Sequence, residues 1–172
     1  GAKGGSRGMG PLFRAYDRNK RSVCGDLKTP EGRATLRDLA ARADIFASNI
    51  RRASLDRLGL GYGGISARKP DIIYLHASGF GADGPYGGRA AYDEMIQGAA
   101  GLADLYPRAR PREQTGDPAY LPTLAGDKTA ARSMGYAAPA ALYHRKRSGQ
   151  GRFGAGPEVR SHAHYNTCEM HH

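Results

Sequence analysis

The chain has 172 residues, 40% of them apolar, and a mean hydropathy of −0.60, which fits one domain with a core on the polar side of the usual range. No apolar run approaches the ~18–20 residues of a membrane helix, and the first ten residues lack the apolar stretch of a signal peptide. Two cysteines, Cys24 and Cys168, exclude a disulfide framework, so a reducing cytoplasm is the expected setting. The net charge of +10 gathers in residues 1–57, where 13 Lys/Arg face 6 Asp/Glu. Such a surplus draws phosphate-bearing cofactors, nucleic acid or anionic surfaces, or it simply keeps a surface solvated.

In chain order, the glycine-rich start "GAKGGSRGMG" is expected to be mobile. "RSVCGDL" (21–27) reads as a short strand. Thr29 as N-cap, Pro30 at the first helical position and Glu31 in the first turn open a helix whose Leu36, Leu39, Ala40 and Ala43 recur at helical spacing. "DIFASN" (44–49) is a strand candidate, followed by two short helices broken between Gly59 and Gly64. The β-branched and aromatic run "DIIYLHASGF" (71–80) is the clearest strand. A glycine loop then leads into one helix over "AYDEMIQGAAGLADL". After a loop rich in Pro and Arg (107–122) comes a long helix, expected to kink or break at Pro139.

Strands alternating with helices predict an α/β fold, a partial Rossmann-like parallel sheet with flanking helices followed by a long helix. Ligands of such sheets bind outside the carboxyl ends of the strands, here Asn49 and the loop from Ser78.

The familiar nucleotide and hydrolase motifs are absent, and "GFGADG" (Gly79, Gly81, Gly84) matches G-x-G-x-x-G by spacing without a helix starting after it. On its own, a plain turn accounts for it better. His162, His164, Cys168, His171 and His172 have zinc-ligand chemistry, but a frayed terminus explains them too, and no metal is assigned. Asn49 with Arg51, Arg52 and Arg57, and "DRNKRS" (17–22) before it, form cationic clusters suited to phosphate or to ordinary surface. Asp127, in "AGDKT", has the chemistry of an N-cap, and a carboxylate can also serve as a nucleophile.

Four segments, "NKRSVCGDLKTPEGRATLRDLAARADIFASNIRRASLDRLGLGY", "PDIIYLHASGFGADGPYGGRAAYDEMIQGAAGL", "PTLAGDKTA" and "AALYHRKRSGQG", follow one another in an order that resembles the family III CoA-transferases. That group includes formyl-CoA and carnitine-CoA transferases and 2-methylacyl-CoA racemases. The resemblance implies an enzyme that moves CoA from an acyl-CoA to a carboxylic acid through an aspartyl anhydride and an aspartyl-CoA thioester. The family's nucleophile falls at Asp127, and its CoA-contacting positions at Lys20, Asn49, Ile50 and Arg57.

Tyr92 and Asp93 lie where transferases carry a Tyr followed by an acid close to the nucleophile. Racemases of the group carry a His at the Tyr position, and a phenol of ordinary pKa about 10 is a poor base near neutral pH, which favours the transferase. The alternatives are an acyl-CoA racemase or isomerase, and a non-catalytic basic fragment that binds polyanions.

Coenzyme A and acyl-CoA are expected as substrates and no resident cofactor is expected. The partners implied are an acyl-CoA and a carboxylic acid, in an interlinked homodimer, with no nucleic acid and no membrane. Family members are longer at both ends, so residues 1–151 are expected to be the central part of their large domain. Residues 152–172 are expected to be a divergent, poorly ordered tail.

Overall fold

The helix α2 (Pro30–Arg42) starts where its capping chemistry says it should: the Thr29 hydroxyl accepts the Gly32 N–H at 3.1 Å. The structure is a computed structural model that describes residues 10–108 and 116–169. A short helix α1 (Pro11–Tyr16) precedes α2. Then follow β1 (Ile45–Ser48), α3 (Arg52–Arg57), α4 (Tyr62–Ser66), β2 (Ile73–Ser78), α5 (Asp93–Ala99), α6 (Leu102–Arg108), α7 (Ala125–Ser148), β3 (Arg152–Pro157) and α8 (Glu158–Tyr165).

The three strands form one parallel sheet in the order β1-β2-β3, with Ile45 beside Ile73 and Ile73 beside Arg152. The central strand carries the longest apolar run, as a strand covered on both faces must: Ile73, Tyr74, Leu75 and His76 are all buried. On one face Tyr74 packs with Ala40, Leu55, Leu60 and Ile65 from α2 to α4, and with Ile72 at the entry to β2. Its hydroxyl donates to the Leu60 carbonyl at 3.0 Å, and its ring stacks on Phe46 with centroids 4.9 Å apart. The alternating positions Ile73 and Leu75 face Ala137, Ala140 and Ala141 of α7 on the other side. Small residues on α7 let it lie close to the sheet.

Five features differ from the sequence-based expectations. Residues 21–27 form no strand: Val23 is 66% exposed, and a short extended segment with no partner has no ladder to join. The helix expected over 91–105 is two, α5 and α6, divided at Gly101, whose φ of 77° only glycine adopts freely.

The long helix α7 runs unbroken through Pro139. Pro139 and Gly135, four residues earlier, are both exposed, so water reaches the carbonyl that the missing N–H leaves free.

Asp127 is not the cap of α7. Leu124 holds the cap position, and Asp127 sits inside the first turn.

The boundary expected at Gly151 is not where folding ends, because 152–157 pairs along the whole of β2 and α8 follows it. That pairing is long-range, and the segment's own glycines give no local sign of it. The expected mobile start, apart from Gly10, and residues 109–115 of the Pro- and Arg-rich loop lie outside the described residues, as do His171 and His172.

Candidate active site

The carboxyl ends of all three strands open into one cavity of about 1170 Å³. Asn49 comes to it from the end of β1, the Ser78–Gly84 loop from β2, and Pro157 to Arg160 from β3. Tyr92, Asp93 and Asp127 complete its wall from the starts of α5 and α7. A parallel sheet thus places its polar loops around a single opening.

The start of α7 is built by α5. The Asp127 backbone N–H donates to Asp93 Oδ1 at 3.0 Å, so a carboxylate from another helix serves one of the free donors of the first turn. Asp93 is buried, and its Oδ2 accepts from Gln97 Nε2 at 2.7 Å. Gln97, buried in turn, binds the Leu121 N–H at 2.8 Å and the Thr123 carbonyl at 3.1 Å, tying α5 to the segment that leads into α7. Gly126 permits this close fit: a Cβ there would stand 2.9 Å from Ile96 Cγ2 and 3.2 Å from Asp93 Oδ1.

With Asp93 serving the helix start, the Asp127 side chain is left exposed at the cavity. The surrounding wall desolvates its carboxyl, and the carboxylates of Asp93 and Glu94 add to this, so its pKa is raised. Glu158, at the first position of α8, is raised as well, by burial first and then by the charges of Asp127 and Asp93. A carboxylate made more basic is, in its ionised form, a better nucleophile than one held by a cation.

Of the residues singled out from sequence, Asn49, Arg51, Arg52, Tyr92, Asp93 and Asp127 line the one cavity, with Gly79, Gly81 and Gly84 of the loop. Lys20, Ile50 and Arg57 do not. Lys20 contacts the Tyr16 carbonyl and pairs with Asp17 at 3.8 Å. Arg57 donates to Ser54 Oγ at 3.1 Å. The Ile50 carbonyl accepts from His76 Nε2 at 2.8 Å, a bond that requires the proton on Nε2 and ties the turn after β1 to β2.

His76, Glu158 and Arg160 line the cavity although sequence reading did not select them. His76 sits in an apolar run and Glu158 and Arg160 follow a glycine-rich strand, so none carries a local signal.

Of the histidine-rich tail, His162 is buried between helices, with Nδ1 3.3 Å from Thr129 Oγ1. Burial lowers its pKa, against an opposing pull from Asp93. His164 and Cys168 are exposed, and among the described residues no three metal-ligating side chains converge. No described helix is long and apolar enough to cross a membrane.

The parallel sheet thus carries an exposed, charge-crowded carboxylate at the cavity outside its strand ends. The chain belongs to CoA-transferase family III, which matches it over residues 2–160. It is 38% identical over 143 residues to the succinate–glutarate CoA-transferase of Agrobacterium fabrum, covering 81% of this chain and 34% of that protein. It is 36% identical over 138 residues to the succinyl-CoA–D-citramalate CoA-transferase of Chloroflexus aurantiacus, covering 78% of this chain and 32% of that one. Among solved structures it resembles a CAIB/BAIF family protein from Brucella suis, with a TM-score of 0.80 and 32% identity over 88% of this chain and 39% of the other. The chain spans about a third of the length of the curated relatives it matches.

Proposed function

We propose that the full protein to which this chain belongs transfers CoA from an acyl-CoA to a carboxylic acid, with Asp127 as nucleophile. The observation that carries the reading is the exposed Asp127 carboxylate in the cavity, released from capping by Asp93. A carboxylate oxygen of Asp127 attacks the thioester carbonyl, the C–S bond breaks, and CoA leaves as its thiolate from an acyl-aspartyl anhydride. The thiolate then attacks the aspartyl carbonyl, expelling the donor acid and leaving an aspartyl-CoA thioester. The acceptor carboxylate attacks that thioester, again expelling thiolate. Finally the thiolate takes the acceptor's acyl carbon and frees Asp127. Each step exchanges one acyl bond for another and needs no outside reductant or metal.

In this reading Asn49, with Ile50, Lys20 and Arg57, contacts CoA, and Tyr92 and Asp93 stand beside the reacting carbonyl. Two relatives with dicarboxylic acids in their names favour acids of that kind as donor and acceptor. The described chain is then the central part of the family's large domain, in a cytoplasmic homodimer whose assembly sedimentation of the full-length protein tests.

The decisive experiment incubates the full-length protein with an acyl-CoA and hydroxylamine and locates the product by mass spectrometry. A hydroxamate at Asp127 supports the reading. Full transferase activity in Asp127→Ala would sink it.

A further inference from the structure

We infer that Arg160 is a specificity-determining residue that holds the second carboxylate of a dicarboxylic acyl group or acceptor. The inference rests on the CoA-transferase reading above and extends it to a residue at the opposite side of the opening from the basic cluster after β1.

Arg160 lies in the first turn of α8 and lines the cavity that Asp127 lines. Its guanidinium reaches across to the loop after β2: a Cβ built on Gly81 would stand 3.7 Å from an Nη of Arg160. Two other arginines of the cavity are already engaged. Arg52 lies over the Phe153 ring at 5.7 Å and pairs with Asp56 at 4.0 Å, and Arg89 lies over the Tyr86 ring at 5.1 Å.

Arg160, by contrast, enters no ion pair among the described residues. His162, two residues after it, stands with Nδ1 3.3 Å from Thr129 Oγ1, two residues beyond Asp127, which places α8 on the nucleophile's side of the cavity. Arg51, which also lines the cavity, adjoins Asn49 instead and belongs with the CoA end. An unpaired guanidinium in a crevice that also holds the five acids Asp83, Asp93, Glu94, Asp127 and Glu158 is a specific device for an incoming anion. Its fork matches a carboxylate with two parallel N–H bonds. A monocarboxylic acid would leave it unanswered.

The test uses the full-length protein and two acceptor pairs of equal length, succinate against butyrate and glutarate against valerate. The expected result is a preference for the dicarboxylate, and a fall in the dicarboxylate-to-monocarboxylate ratio of kcat/KM by about tenfold or more in Arg160→Gln. With a monocarboxylic acyl-CoA as donor, the loss should appear in the KM for the dicarboxylate, with the KM for that acyl-CoA unchanged. Arg160→Lys, which keeps the charge without the fork, should give an intermediate ratio.

Hydroxylamine trapping at Asp127 separates the two ideas. Trapping with no dicarboxylate preference, or with a ratio that neither variant shifts, overturns the role of Arg160 and leaves the transferase standing. A raised KM for acyl-CoA with both acids affected alike overturns it too, and assigns Arg160 to a CoA phosphate. Absence of trapping in the wild-type protein removes the transferase reading and this inference with it. Should Arg160→Gln lose trapping through misfolding, the ratio measured in Arg160→Lys decides.

Discussion

The carboxylate of Asp93 accepts the backbone N–H of Asp127 at 3.0 Å, so one acid holds in place the main chain that carries another. Removing it in Asp93→Ala strips α7 of its borrowed cap and leaves the Gln97 amide without its 2.7 Å partner. The expected cost is about 1–3 kcal/mol, read by urea unfolding of the full-length protein. Asp93→Asn should also destabilise, because an amide NH₂ turned toward either Asp127 N or Gln97 Nε2 sets donor against donor.

Gly126→Ala tests the close approach of α7 to α5. Helix propensity alone would favour alanine by up to ~1 kcal/mol. The new methyl would meet Ile96 at 2.9 Å, where the neighbour is buried and cannot move aside cheaply. We expect overpacking to win, giving a lower Tm and reduced transferase activity together. A stabilised, fully active variant would contradict the packing described.

The raised pKa of Asp127 fixes the sign of a pH effect. Between the ordinary Asp value of 3.8 and the higher folded value, the folded protein binds more protons than the unfolded chain. Stability therefore falls as pH rises through that window, and the cost of the ionised carboxylate is fully present only above the raised folded value. Asp127→Asn should raise Tm at pH 7, with the gain vanishing below about pH 3 where both forms are neutral. The acid limb of kcat/KM should likewise titrate above the ordinary aspartate value.

Tyr74→Phe keeps the stacked ring but removes the 3.0 Å bond to the Leu60 carbonyl. A loss of about 1 kcal/mol is expected in the same unfolding assay, with no change in the KM for acyl-CoA, since Tyr74 lies in the core and not on the cavity.

What sequence could reveal follows the range of the interactions. Thr29-Pro30-Glu31 starts a helix by contacts within one turn, and the apolar run of β2 reports its own burial, so both were legible. β3 was not: "RFGAGP" is poor in strand formers, and its glycines answer to neighbours far along the chain. A Cβ on Gly154 would stand 2.9 Å from Leu75 Cδ2, a fact that no local pattern contains.

The same holds for the site. Asp127 was visible as an acid at a helix start, and the resemblance supplied its proposed role. That Asp93 does the capping, and that Glu158 and Arg160 share the cavity, depends on α5, α7 and α8 meeting in space.

At the far end of α7, Arg145 donates to the Asp44 carbonyl at 3.2 Å and pairs with Asp44 and Asp71 at 2.6 and 3.7 Å, at the entries to β1 and β2. With Asp93 at its other end, the helix is a beam of 24 residues, about 36 Å long, pinned at both extremities. Ties at both ends oppose sliding of the helix, so in the proposed transfer Asp127 is the fixed member of the cavity wall. Under the same proposal, adjustment to acyl partners of different size is left to the glycine-rich loop between β2 and α5, which also lines the cavity.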